Sequence, residues 1–157
     1  MTEFSHFDKD GKARMVDVSD KPATVREAVA RGFVSMHKAT LEMVRGNKIF
    51  KGDVLGIARV AGIMAAKKTS ELIPLCHPLN IASVVIDFNF DTEHCRIQIE
   101  SRVRTTGQTG VEMEALTAVS AAALTIYDMC KSADREMIIS DIMLMEKRGG
   151  KSGIFKR

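Results

Sequence analysis

Near the end of one long apolar stretch, Asp128 and Lys131 stand three residues apart, a spacing that sets a carboxylate and an amine side by side if the stretch is helical. Such a pair can move protons when a pocket desolvates it, because burial and the opposite charge together set where each group titrates. On an open helix the same pair is an ordinary ion pair, worth roughly 0.3–0.5 kcal/mol. Glu112 and Glu114 begin the same stretch. Between Glu114 and Asp128 lie 14 residue steps (128 − 114), and a rise of about 1.5 Å per residue makes that roughly 21 Å. The two ends therefore cannot reach one small reacting centre from the same helix. If both are functional, they hold opposite ends of a long ligand or belong to sites completed by a second chain.

His77 lies in Ile73-Pro74-Leu75-Cys76-His77-Pro78-Leu79, where the flanking prolines restrict the backbone and hold the imidazole in a defined direction. A lone histidine is more often structural than catalytic. Cys76 beside it could be a nucleophile, but no neighbouring base is visible, and packing is the favoured role. Basic residues gather at element edges: Lys51, Lys67 with Lys68, and Lys147-Arg148 with Lys151 in Gly149-Gly150-Lys151-Ser152-Gly153. Each alone reads as solubility or as a favourable helix end, whereas together they could supply charge-assisted bonds to a polyphosphate. The tail is not a P-loop. That motif requires glycine where Met145 stands and a helix after the serine, whereas the chain ends at Arg157.

The elements that must position these residues follow from periodicity. Thr109-Gly110-Val111-Glu112 fits a capping box opening a helix, and Leu116, Val119, Ala123, Ile126 and Cys130 continue it on one buried face. Gly52–Thr69 is a second helix with Asp53 placed to cap it, and Ser35–Arg45 is a short one that Gly46-Asn47 ends. Ile81–Asp91 and Cys95–Arg104 alternate apolar and polar residues, predicting a hairpin, and Met137–Glu146 predicts a last strand. Thr24–Met36 is ambiguous: its alanines favour helix, while its alternation with bulkier neighbours allows a strand. This order predicts an α+β ferredoxin-like sandwich, with helices on one face of an antiparallel sheet. Apolar residues on both faces of the last strand favour a second subunit over the sheet's other face.

The chain has 157 residues, with 45% hydrophobic and 27% charged residues and a net charge of +3, which predicts one domain over 1–157, flexible at about 1–13 and 148–157. The mild charge is no nucleic-acid signature. Phe88 and Phe90 share the core face of their strand, so the sheet offers no aromatic platform for RNA. Cys76, Cys95 and Cys130 show no zinc-ligand spacing. With no N-terminal apolar signal segment and no membrane span, they predict a reducing cytoplasm. No metal site is expected.

Taken together, KGDVLGIARVAGIMAAKKTSELIPLCHPL from Lys51, TGQTGVEMEALTAVSAAALTIYDMCK from Thr106 and GGKSG from Gly149 closely resemble the molybdenum cofactor biosynthesis protein C family, over about Ala13 to Phe155. The resemblance implies an enzyme that converts 3′,8-cyclo-7,8-dihydro-GTP, supplied by a radical-SAM GTP cyclase, to cyclic pyranopterin monophosphate with release of pyrophosphate. It also implies a hexamer of three dimers with sites between subunits. In that family the positions matching Asp128 and Lys131 act in acid/base steps. Those matching Leu75, Cys76, His77, Met113 and Glu114 line the substrate, and those matching Lys51 and Glu112 lie in the same pocket. Ile154 departs from the polar or acidic residue common among relatives. On this footing Lys131 exchanges protons at the purine-derived ring, oriented by Asp128, while Glu112, Glu114 and His77 hold the guanine edge and ribose. Lys51, Lys67, Lys68, Lys147 and Lys151, with Arg26, neutralise the phosphates. No cofactor is required, although Mg²⁺ can accompany a triphosphate. The alternative is a non-catalytic nucleotide-binding or scaffold protein of the same pathway.

Overall fold

The structure, a computed structural model, describes residues 10–49 and 51–157. Of the expected loose N-terminus at 1–13, residues 1–9 lie outside the described residues. The chain runs β1 (Thr24–Ser35), α1 (Lys38–Arg45), α2 (Val54–Lys67), α3 (Thr69–Leu72), β2 (Ile81–Asp91), β3 (Arg96–Gly107), α4 (Glu112–Cys130), β4 (Ile138–Arg148) and β5 (Phe155–Lys156). The strands form one antiparallel sheet in the order β2-β3-β1-β4-β5. With α2 and α4 packed together on one face, this is the expected ferredoxin-like sandwich, extended at one edge by β5.

The ambiguous segment is the central strand. β1 pairs with β3 along its whole length and with β4 from Glu27 onward, across two register shifts, and ladders on both sides satisfy its backbone in place of the helix its alanines favour. Ala28, Ala30 and Val34 face the helices, fully buried. Gly32 shares that row, and a Cβ there would lie 2.8 Å from Val119 Cγ1 and 3.0 Å from Ile142 Cγ1. The small residues of β1 thus let α4 sit directly on the sheet.

The hairpin of β2 and β3 forms as expected, with Val84, Ile86, Phe88 and Phe90 turned to the core. Asp53 caps α2 by accepting from the Gly56 N–H at 2.9 Å. Two local expectations need correction. Ser35 belongs to β1, and α1 begins only at Lys38. The capping box of Thr109 does not form: Val111 is the N-cap of α4 with no side-chain cap bond. The box requires Glu112 in the third helical position, whereas it occupies the first, and its carboxylate folds back against Gly110.

The face of the sheet away from the helices carries ion pairs, including Arg31 to Glu100 at 3.0 Å and Arg102 to Glu27 at 3.2 Å. The Arg96 guanidinium stacks 4.1 Å from the centre of the Phe33 ring. Val25 and Val85 are exposed apolar side chains on that face, and others gather on α2 at Ile57, Val60 and Met64. No helix among the described residues is long and apolar enough to cross a membrane.

Candidate active site

Two adjoining cavities flank the start of α4. The larger, about 570 Å³, is walled by Arg26 from β1, by Lys147 and Arg148 from β4, and by the glycine-rich turn through Lys151. The smaller, about 280 Å³, is walled by Leu75, Cys76 and His77 from the proline-bounded loop and by Met113 and Glu114 from α4. Lys21, Thr109, Gly110 and Glu112 line both. One cavity is thus cationic and the other mixes apolar walls with carboxylates.

Sheet register brings the larger cavity together. Thr24 of β1 pairs with Gly107 of β3, and Glu27 pairs with Arg148 of β4, so three strand ends and the β3–α4 loop meet at one edge. Arg26 is buried there and donates through Nε to the Gly107 carbonyl at 3.2 Å and through Nη2 to the Gln108 carbonyl at 3.3 Å. The tail packs on its guanidinium. Gly149 and Gly150 have φ of +95° and +78°, and a Cβ at Gly150 would strike the Arg26 side chain, so this turn requires glycine on two counts. Lys147 Nζ bonds the Ser152 hydroxyl across the turn. After the turn the chain returns along β4 as β5, pairing Lys147 with Phe155.

In the smaller cavity Glu114 is only 4% exposed. Burial, opposed by a backbone hydrogen bond and reinforced by the charge of Glu112, pushes its carboxyl above the ordinary range. Burial and the Glu114 charge likewise raise Cys76, which keeps that thiol protonated and supports packing over nucleophilic attack. Residues 16–22 lie over this cavity, held by Gln108 Nε2 donating to the Ser19 carbonyl at 3.2 Å. Ser19 also donates its hydroxyl and N–H to Asp17, at 2.6 and 2.9 Å. These bonds lower the Asp17 carboxyl, with a smaller contribution from His77 across the cavity.

Asp128 and Lys131 lie at the other end of α4. Lys131 Nζ donates to Asp128 Oδ1 at 2.7 Å, and Lys51 Nζ donates to the Asp128 carbonyl at 2.8 Å and lies 3.4 Å from Oδ2. Lys131, then Lys51, hold the Asp128 carboxyl below its usual range. The cluster is open, with Asp128 60% and Lys131 52% exposed. Lys51, which the resemblance groups with Glu112, therefore stands beside Asp128 in this chain. The 16 residue steps from Glu112 to Asp128 (128 − 112) correspond to about 24 Å of helix. Lys67 and Lys68 are exposed at the end of α2 and line neither cavity.

Lys21, Gln108 and Thr109 join the larger cavity without having been singled out for it in the sequence. Lys21 is hidden there in a polar stretch without periodicity, although Pro22 beside it marks a fixed turn. Among the described residues no group of three histidine, cysteine or carboxylate side chains is placed to hold a metal ion.

A family model described as the MoaC family matches residues 15–150. A cyclic pyranopterin monophosphate synthase of Pelotomaculum thermopropionicum is 63% identical over 157 residues, spanning all of this chain and 92% of its own. One of Heliobacterium modesticaldum is 64% identical over all of this chain and 99% of its own. One of Clostridium acetobutylicum is 59% identical over 98% of this chain and 96% of its own. With the match running from the β1 approach through the glycine-rich turn, the chain belongs to the MoaC family, that of molybdenum cofactor biosynthesis protein C.

Proposed function

We propose that this protein is a cyclic pyranopterin monophosphate synthase of molybdenum cofactor biosynthesis. It converts 3′,8-cyclo-7,8-dihydro-GTP, the product of a radical-SAM GTP cyclase, to cyclic pyranopterin monophosphate and pyrophosphate. The observation that carries the reading, beside the relatives' names, is the pair of adjoining cavities around one helix start. The smaller suits a purine-derived ring, with Glu114 and His77 for its polar edges and Leu75, Cys76 and Met113 for its faces. The larger suits the phosphates, with Arg26, Lys147 and Lys151 as counter-charges. Glu112 and Lys21 line both and so sit where ribose and α-phosphate join.

The reaction needs repeated proton transfers and attack of a sugar hydroxyl on the α-phosphate, with pyrophosphate leaving. We assign the transfers to Lys131, oriented by Asp128, with Lys51 alongside. Their distance from the cavities and their exposure are the reasons to assign each complete site to two chains, in a hexamer built as a trimer of dimers. In such an assembly Lys67 and Lys68 also face a neighbour's phosphates. No resident cofactor enters the reading, and Mg²⁺, where it takes part, arrives on the triphosphate. The cytosol is the compartment that suits three free cysteines.

The test is pyrophosphate release from purified protein given the cyclised nucleotide. A synthase releases pyrophosphate in step with the cyclic monophosphate, whereas a scaffold or carrier binds the nucleotide and releases neither, which would overturn the proposal.

A further inference from the structure

Asp134 is the most completely bonded buried charge outside the cavities. It lies in the connection between α4 and β4, and its side chain is 1% exposed. Its Oδ2 accepts from the His37 N–H at 2.8 Å and from the Thr40 hydroxyl at 3.3 Å, and its Oδ1 accepts from the Glu136 N–H at 3.0 Å. The His37 ring adds Nδ1 at 3.3 Å from Oδ2, while its Nε2 lies 3.0 Å from Glu136. His37 is the N-cap residue of α1, and that helix has no side-chain cap of its own. Asp134 therefore accepts from the N-cap N–H, the bond that a capping box draws from a side chain in the helix's own first turn, from 97 residues away.

The contact closes a ring of structure around the proposed proton-moving groups. The Ala133 and Asp134 N–H groups both donate to the Cys130 carbonyl, at 2.8 and 3.0 Å, so the turn after α4 is tight and Asp134 moves with Asp128 and Lys131. From the first turn of α1 the chain runs through that short helix and the following turn to Lys51, whose ammonium returns to Asp128 at 2.8 Å from its carbonyl. Among the described residues Lys51 bonds α4 through Asp128 alone, and its approach is set by α1 and the turn after it, which Leu41, Val44 and Ile49 anchor in the core and Asp134 pins at the first turn.

We propose that Asp134 is a positioning residue for the reaction: by pinning the turn after α4 to the first turn of α1, it fixes where Lys51 meets the Asp128–Lys131 pair. The proposal rests on the assignment of those groups as the proton-moving machinery, and the experiment separates the two. Lysines reductively dimethylated with ¹³C keep their charge and report individually by NMR, with Lys51 and Lys131 assigned from K51R and K131R. In Asp134→Ala the His37 N–H and the Thr40 hydroxyl both lose their acceptor, releasing α1. The expected result is movement of the Lys51 and Lys131 signals, with those of Lys21 and Lys147 unchanged. The kcat for pyrophosphate release should fall about tenfold to a hundredfold, as small displacements of reacting groups do, while KM stays within about twofold.

If Asp134→Ala leaves both lysine signals in place, Asp134 is a helix cap alone and the proposal fails, whatever happens to Tm or kcat. Signals that move while kcat stays at the wild-type value would equally overturn it. Should Asp134→Ala not fold, Thr40→Ala removes a single bond to the same oxygen and should shift Lys51 in the same direction by less. If the wild-type protein releases no pyrophosphate, the assigned activity is what fails, and the lysine signals still decide the positioning.

Discussion

Lys131 donates to Asp128 across 2.7 Å while both side chains remain more than half exposed. Water screens a pair this open, so within one chain the contact contributes little to stability; under the proposed function a second chain covers it. Lys131→Ala and Asp128→Asn should therefore each lower kcat by about 10²- to 10⁴-fold, the range for a lost acid/base group, with little change in thermal unfolding of the isolated subunit. Pyrophosphate-release kinetics beside a melting curve check both halves.

Sites shared between chains predict complementation. Lys131→Ala and Glu114→Ala proteins, each inactive alone, should regain activity when unfolded and refolded together. Random pairing of equal amounts puts an intact Lys131 opposite an intact Glu114 in about one quarter of the sites of a two-fold assembly. Recovery of nothing above the separate proteins would place both residues in sites made by single chains.

Glu114 has a definite pH signature. Its folded carboxyl titrates above its unfolded one, chiefly through burial, so the fold favours the protonated form. The matching stability is fully present below the unfolded value, near pH 4.3, and is lost as pH rises through the folded value. Glu114→Gln, which stays neutral, should melt above the wild type at pH 7, and the gap should close as pH falls to about 4. A gap independent of pH would show that the charge is not what the substitution removes.

Close packing of α4 makes a further test. A Cβ at Gly62 of α2 would lie 2.8 Å from the Ala118 carbonyl oxygen and also strike Ile86. Backbone cannot step aside as a side chain can, so Gly62→Ala should cost about 1–3 kcal/mol despite the better helix propensity of alanine. Gly32→Ala meets only the side-chain carbons of Val119 and Ile142 among its nearest atoms within 3.0 Å, and should cost less. Denaturant melts of the two variants give the order.

What was legible in the chain depends on how each element is buried. The β2–β3 hairpin could be read because one face of each strand is buried and the other wet, which writes the alternation Val84, Ile86, Phe88, Phe90 directly into the sequence. β1 could not, because its helix-facing row is Ala28, Ala30 and Gly32, chosen to admit α4, and small residues there erase the contrast between faces while raising helix propensity. At Thr109 the right residues for a capping box are present, but the N-cap of α4 falls two residues later (111 − 109), at Val111. In the smaller cavity, Leu75 to His77 and Glu112 to Glu114 formed two short motifs that could be seen. Lys21 and Arg148 could not be placed beside Arg26 and Gln108, because that grouping exists only through the register of three strands.

The span of α4 has one more consequence under the proposed function. A chain that carries the cavities at one end and the proton-moving groups at the other holds two halves of a reaction that it cannot bring together. A freshly made subunit would be silent until it met a second, and specific activity would fall on dilution below the dissociation constant of the dimer. The amount of protein in the cell would then set not only how many sites exist but whether any single one is complete.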